Sequence, residues 1–428
     1  MHDSKCAIML RTLTLNFLTA LVATASLFGF SACAPLPDRE ANQSVVDDDR
    51  LTLGDSFLSG FYSYDGELEK PGVLLKSEPL EDRQSNPGAG TNIRLLYSST
   101  DGLGGEDLLP VSGVLFLPEG AAPVGGWPLM AWTHGTVGIA DVCAPSWDGR
   151  QMQDKEHLEF WLKQGFAVVA SDYQGLGTRG THPYLATRPE AFSNLDIIRA
   201  VQSGGFSVSK KVLLFGQSQG AGAAVASAAY AREYAPELAI VGVVATGVPF
   251  FSPEALVALQ ESRPRDVPDP LLAYNLLALA LVQLTDANFR LEEYVSERAM
   301  PIALAIRETC HKQVRTRVVQ EGLTYNQTFK HPPSEHLVKA FARMGYSTLG
   351  LRVPLFVGTG GMDRDTPLRM QAALVKRACA AGTQVTAAYY PELDHRGVVP
   401  ASTADSLSFV RAAFSGDPIE GNCEALPY

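Results

Sequence analysis

Positive charge is what this chain of 428 residues is short of: 35 Lys and Arg stand against 46 Asp and Glu, for a formal charge of −11. An acidic surface repels phosphate backbones, and no block of Lys and Arg offsets it, so a nucleic-acid partner is not expected. Cysteine is scarce as well. There are six, none spaced as CxxC and none clustered with His at zinc-ligand spacing, so no metal site is expected. Internal repeats and low-complexity tracts are missing, which argues against a solenoid or a fibrous array. With 46% hydrophobic and 19% charged residues the composition is that of an ordinary globular protein. The length allows one large domain with an insertion, or two domains.

Charge is also missing from one stretch near the start, Leu13 to Phe30. Lys5 and Arg11 precede it and the small residues Ser31-Ala32-Cys33 follow. A positive start, an apolar middle and small residues at the end are the layout of an export signal over residues 1–33. Three endings fit it: a signal cleaved near Ala32 to Ala34, a lipoprotein signal that ends on Cys33, or an uncleaved anchor. A small-small-Cys ending resembles the bacterial lipobox, with Phe30 where Leu is usual, and makes Cys33 the lipidation candidate. That would attach the protein to the cell envelope by an N-terminal lipid; otherwise it is secreted. The signal also reads well from Met9 as the start. Polar residues 34–50, with Asp47-Asp48-Asp49-Arg50, read as a linker. Export gives meaning to the four remaining cysteines, Cys143, Cys310, Cys379 and Cys423. An even number in an oxidising compartment points to two disulfides, the alternative being four buried thiols.

From about residue 90, short apolar runs alternate with helical patterns. Arg94–Ser98, Ser112–Leu117 and Pro128–Thr133 read as strands bounded by Gly or Pro. Phe166–Ser171, Val212–Phe215, Ile240–Ala245, Pro354–Thr359 and Val385–Tyr390 are apolar runs of the kind found in buried parallel strands. Gln153–Gln164, Pro189–Ser203, Ser218–Tyr234, Leu368–Ala381 and Ser402–Phe414 read as helices. This alternation predicts an α/β fold with a mostly parallel central sheet flanked by helices. It stops between 251 and 345, where no strand pattern appears. That segment opens on Ser252-Pro253-Glu254, a helix start, and carries a very apolar helix at Leu271–Leu284. We read it as a helical cap inserted between a first core part, 51–250, and a second, 346–428. The apolar helix either lines an acyl pocket or forms the core of the cap.

Gly216-Gln217-Ser218-Gln219-Gly220 is a GxSxG, a pattern too common to count by itself. Here a buried strand precedes it and an Ala-rich helix follows it. A nucleophile on a sharp strand-to-helix turn needs glycines two residues before and two after, because side chains there would collide. The turn sets the hydroxyl above the strand ends, with helix N–H groups beneath a developing oxyanion. The alternative is a capping Ser in a Gly-rich turn. A Ser nucleophile needs a base, and the chain order expected for this fold is Ser, acid, His. Asp363 follows the strand Pro354–Thr359, with Asp365 as the fallback. His395 follows the strand Val385–Tyr390. Of the eight His, His2 lies in the signal and His311, His331 and His336 in the cap. His134-Gly135-Thr136, after the strand Pro128–Thr133, looks like a loop that supplies a second oxyanion donor. The backbone N–H groups of Thr136 and Gln219 are therefore the expected oxyanion hole, with the Thr136 hydroxyl as a third donor. His134 reads as a brace for the loop.

These residues together resemble the secretory lipase family of α/β-hydrolases, the group of Candida-type lipase A and its bacterial relatives. The matching stretches are Trp132 to Thr136 running on to Asp141-Val142-Cys143-Ala144-Pro145-Ser146, Ser171 to Gly177 with His182-Pro183-Tyr184-Leu185, the elbow, Gly361 to Pro367, and Asp394-His395. The likeness spans about residues 52–415. It implies a triad of Ser218, Asp363 and His395, a helical cap over an acyl tunnel, and action on triacylglycerols or simpler esters without a metal or cofactor. It also implies disulfides Cys143–Cys310 and Cys379–Cys423. Gln217 departs from the Tyr that relatives often carry before the Ser, which leaves the wall of the acyl pocket open. The expected function is an exported carboxylic ester hydrolase, a lipase or esterase, acting through an acyl-enzyme on Ser218. A peptidase or an acyltransferase on the same triad is the alternative. A non-catalytic binding protein fits least, because all three triad members are present.

Overall fold

The structure is a computed structural model that describes residues 53–252, 263–331 and 334–428. The export signal and the linker lie outside the described residues, and the helix start expected at Ser252-Pro253-Glu254 runs out of them.

Among the described residues nine strands form one sheet: β1 Leu74–Pro79, β2 Thr91–Thr100, β3 Leu108–Leu117, β4 Trp127–Thr133, β5 Ala167–Ser171, β6 Val208–Gln217, β7 Ala239–Thr246, β8 Leu355–Gly360 and β9 Val385–Tyr390. Their order across the sheet is β1-β2-β3-β5-β4-β6-β7-β8-β9. The first three pair antiparallel, as does β3 with β5. From β5 through β4, β6, β7 and β8 to β9 every pairing is parallel. Every strand but β1 coincides with an apolar run legible in the sequence. That segment, Leu-Leu-Lys-Ser-Glu-Pro, is half exposed at the sheet edge and has no apolar run to mark it.

The long helices of the described residues are α2 Met152–Lys163, α3 Thr187–Ser203, α4 Gln219–Tyr234, α5 Leu272–Thr285, α8 His311–Gln320, α10 Ser334–Arg343, α11 Leu368–Ala380 and α12 Val398–Ser415. Four short ones fall between them: α1 Pro145–Asp148, α6 Leu291–Tyr294, α7 Met300–Ala305 and α9 Tyr325–Thr328. Helix α12 starts four residues before the predicted Ser402, because Val398 and Val399 are themselves buried.

The parallel strands read as continuous apolar runs because both faces are covered. Leu214, Val243 and Val357 point to the face where α3, α4 and α11 pack, with Ile198, Ala224 and Leu374. Their neighbours Leu213, Phe215, Val244 and Phe356 point to the other face, against Trp161 of α2 and Phe409 of α12. Alternate residues of one strand thus serve two cores. Between β7 and β8 the described residues are helical, apart from an isolated bridge between Val295 and Phe329. They bury a separate cluster built on Leu276, Leu277 and Leu281 of α5 with Val314, Val318 and Leu323. Tyr184 and Ala186, from the loop before α3, pack into the same cluster and join it to the sheet domain. A covalent tie adds to this. Cys143, beside α1, is bonded to Cys310 at the N-cap of α8 with Cα atoms 5.4 Å apart. The second disulfide, Cys379–Cys423, fastens the C-terminal tail to α11. Among the described residues no helix is long and apolar enough to cross a membrane.

Candidate active site

Ser218 stands between the last residue of β6 and the first of α4, at φ 59° and ψ −126°. Few residues with a Cβ adopt such a backbone, so the neighbours must hold it there. A Cβ on Gly216 would lie 2.2 Å from Thr133 Oγ1, and one on Gly220 would lie 1.9 Å from the Thr133 carbonyl oxygen. Strand β4 therefore presses against the turn from one side. On the other, the Ser218 N–H donates to the Thr246 carbonyl of β7 at 2.9 Å. The GxSxG spacing is thus a packing requirement at a strand-to-helix corner, and its outcome is a raised hydroxyl.

His395 lies on the loop between β9 and α12 and is 7% exposed. Its Nδ1 donates to Asp363 Oδ2 at 2.8 Å. Its Nε2 is buried and has no hydrogen-bond partner. Asp363, just past β8, is held by four further donors. The Asp365 and Thr366 N–H groups, each at 2.9 Å, reach Oδ1, while Thr366 Oγ1 at 2.9 Å and Gln371 Nε2 at 3.0 Å reach Oδ2. A carboxylate fixed in this way orients the ring and commits the Nδ1 proton, leaving the Nε2 lone pair free. Asp365, the fallback, goes elsewhere. It accepts from Tyr274 of α5 at 2.7 Å and lies 3.6 Å from Arg315 of α8. Burial raises its carboxyl, but the nearby His395, the Tyr274 hydroxyl and Arg315 together leave it below the usual range.

One contributor escaped the sequence reading. Gly247, after β7, has φ +61°, and a Cβ there would sit 2.7 Å from His395 Cε1 and 2.9 Å from Nδ1. Its signal was a Gly at a strand end, which does not tell which ring it makes room for. The stretch Ser171 to Gly177 proves to be scaffolding. Asp172 accepts from Ser112 Oγ at 2.7 Å and from the Ser146 N–H at 3.0 Å, beneath the 134–136 loop. His134 Nδ1 lies 2.8 Å from the Gly135 carbonyl, its ring sits 4.3 Å from that of Tyr173, and burial holds it below its usual pKa. Its Nε2 lies 3.3 Å from the Asp172 carbonyl, so the ring spans the loop and the residue that follows β5.

Two cavities open on Ser218. The smaller, about 170 Å³, is apolar and lined by Leu185, Phe251, Leu272, Leu279, Phe341 and Met344 among others, with Thr136 and Gln219 at the Ser218 end. Helix α5 contributes to both the cavity and the core: Leu272, Ala278 and Leu279 line the cavity, and Leu276, Leu277 and Leu281 belong to the buried cluster. The larger, about 490 Å³, is more polar and is lined by Ser218, His395, Gln217, Arg150, Arg364 and Arg396 among others. Gln217 belongs to this chamber and not to the apolar cavity, and its Nε2 donates to the His395 carbonyl at 3.2 Å. Thr136 Oγ1 pairs with Tyr184 Oη at 2.8 Å. The side chain of Gln219 is buried, with Nε2 donating to Glu190 Oε1 at 2.7 Å.

Sheet order, elbow and Asp363–His395 pair define the fold as that of the α/β-hydrolases. Residues 151–422 match the model of the secretory lipase family, and the chain belongs to that family. It is 25% identical to Lipase A of Moesziomyces aphidis over 94% of this chain and 88% of that one. Candida antarctica lipase A in its closed state superposes with a TM-score of 0.67, at 23% identity over 89% of each chain. A rice cell wall degrading esterase, LipA from Xanthomonas oryzae, superposes with a TM-score of 0.63 at 20% identity, over 81% of this chain and 99% of that one.

Proposed function

We propose that this protein is an exported serine hydrolase that cleaves carboxylic esters of lipids through an acyl-enzyme on Ser218. The observation that carries the reading is His395, held by Asp363 on one nitrogen and unpartnered on the other, lining the chamber that Ser218 also lines. His395 Nε2 takes the Ser218 proton as Oγ attacks the ester carbonyl, and Asp363 stabilises the imidazolium. The tetrahedral oxyanion is received by the N–H groups of Thr136 and Gln219. Gln219 is the first residue of α4, whose leading N–H groups have no partner within the helix. If Tyr184 donates in its bond to Thr136, the Thr136 hydroxyl proton is free for the same oxygen. One such donor is worth about 3 kcal/mol of transition-state stabilisation. His395 then protonates the leaving alcohol, and water releases the acid.

The two cavities divide the ester. The apolar one takes the acyl chain, since Gln219 lines it and not the other, while Thr136 lines both. The polar one takes the alcohol, since it is the side on which His395 delivers the proton. Membership of a secretory lipase family and two disulfides support export. Lipidation at Cys33 is the form of attachment we propose. A fluorophosphonate probe tests the nucleophile: labelling is expected in the unmodified protein and not in Ser218→Ala. Persistent labelling of the variant sinks the assignment. A p-nitrophenyl ester series tests the acyl pocket, with medium or long chains expected to outrun acetate.

A further inference from the structure

Glu190, near the start of α3, is 1% exposed and has no place in the mechanism above. Its partners are N–H groups. Gln219 Nε2 donates to Oε1 at 2.7 Å, and the backbone N–H of Leu185 faces the same carboxyl and favours its ionised form. Leu185 has φ +64°, a backbone that costs energy for a side chain of its size. Its neighbour Tyr184 holds the Thr136 hydroxyl. The carboxyl therefore joins two segments far apart in sequence, the elbow and the 184–185 loop, and each bears on one of the two oxyanion donors.

The second amide proton of Gln219 is also committed. His182 Nδ1 lies 2.9 Å from the Gln174 carbonyl, which can only accept, so Nδ1 carries the ring proton. Nε2 is then an acceptor, and Gln219 Nε2 lies 3.2 Å from it. Burial keeps this ring neutral, pushing its pKa down to about 3. Gln219 thus donates to both His182 and Glu190 and has one position open to it. Burying a carboxyl costs stability that an apolar side chain would not. What it secures here is the placement of the hole, which has to hold to about 0.5 Å to be effective.

We propose that Glu190 is a positioning residue for the oxyanion hole, its carboxyl bracing Gln219 on one side and the loop that carries Tyr184 and Leu185 on the other. This rests on the hydrolase reading of Ser218. Burial lifts the Glu190 carboxyl to about 8, so it is mostly protonated at neutral pH and Gln copies its shape and charge.

The test compares Glu190→Ala, Glu190→Gln and Gln219→Ala with the unmodified enzyme. It measures kcat and KM on a p-nitrophenyl ester, and affinity for a boronic acid that forms a tetrahedral adduct on Ser. Glu190→Ala is expected to lower kcat by about tenfold or more with KM little changed, to weaken the boronic acid in parallel, and to be rescued in Glu190→Gln. Gln219→Ala cuts the same brace from the other end and keeps its backbone N–H. It is expected to lose kcat similarly, and the double variant to lose no more than the worse single one. Should Glu190→Ala fail to fold, Gln219→Ala and Glu190→Gln still decide. A higher KM with unchanged kcat, or unchanged boronic acid affinity in folded Gln219→Ala, overturns the proposal. An unmodified protein that neither hydrolyses the ester nor takes the fluorophosphonate probe overturns the hydrolase reading instead.

Discussion

Replacing Gly247 by Ala separates two costs that usually come together. The backbone at 247 has φ +61°, so any Cβ there is strained, by about 1–2 kcal/mol. The new methyl would also lie 2.7 Å from His395 Cε1, well inside van der Waals contact. Asp363 is held by four other donors, two of them backbone N–H groups, so the imidazole is what yields, and its 2.8 Å bond to Asp363 is stretched. A displacement of about 1 Å in a catalytic group costs about a hundredfold in rate. Gly382 supplies the control: it has φ +87° and nothing within 4 Å of its would-be Cβ. Gly382→Ala is expected to lose about 1 kcal/mol in urea denaturation and no activity. Gly247→Ala is expected to lose at least as much stability and about a hundredfold in kcat on a p-nitrophenyl ester. Equal stability losses with full activity in Gly247→Ala would refute the claim that this glycine makes room for the ring.

Asp363→Asn is expected to reduce kcat by about 10⁴-fold, because the amide favours the wrong His395 tautomer, while Asp365→Asn leaves most of the rate; steady-state kinetics of the two decide which carboxylate serves. Ala278→Phe, on the cavity face of α5, is expected to shift preference towards short acyl chains, read from kcat/KM along an ester series. Cys143→Ser with Cys310→Ser opens a crosslink of sequence separation 167 and is expected to lower stability by about 4–5 kcal/mol in urea denaturation. Glu190 gives a pH signature in stability. Its folded pKa is raised from 4.5 to about 8 by burial, so its contribution is complete below pH 4.5 and is lost as pH rises towards 8. The titratable groups that face it, Tyr173, Tyr184 and Tyr346 with neutral His182, do not ionise in that window. Urea midpoints from pH 5 to 8.5 are expected to fall for the unmodified protein and to fall less for Glu190→Gln.

The sequence by itself determined the strands of the sheet and the order in which Ser218, Asp363 and His395 follow one another. Runs such as Val212–Phe215 and Pro354–Thr359 are legible because a strand covered on both faces must be apolar throughout, whereas β1, half exposed at the edge, carries no such mark. The Gly216-Ser218-Gly220 spacing is legible because the corner admits no other residues at its ends. Only the tertiary structure shows which of Asp363 and Asp365, two residues apart on one loop, meets His395. One turns towards His395 and the other towards Tyr274 of α5, and no local pattern records that difference. The same holds for Gly247 beneath the His395 ring and for Glu190 behind Gln219. Each acts on a residue at least 29 positions away. Periodicity and turn chemistry are short-range signals; which side chains meet across a strand end is fixed by how the sheet, the loops and the cap pack together.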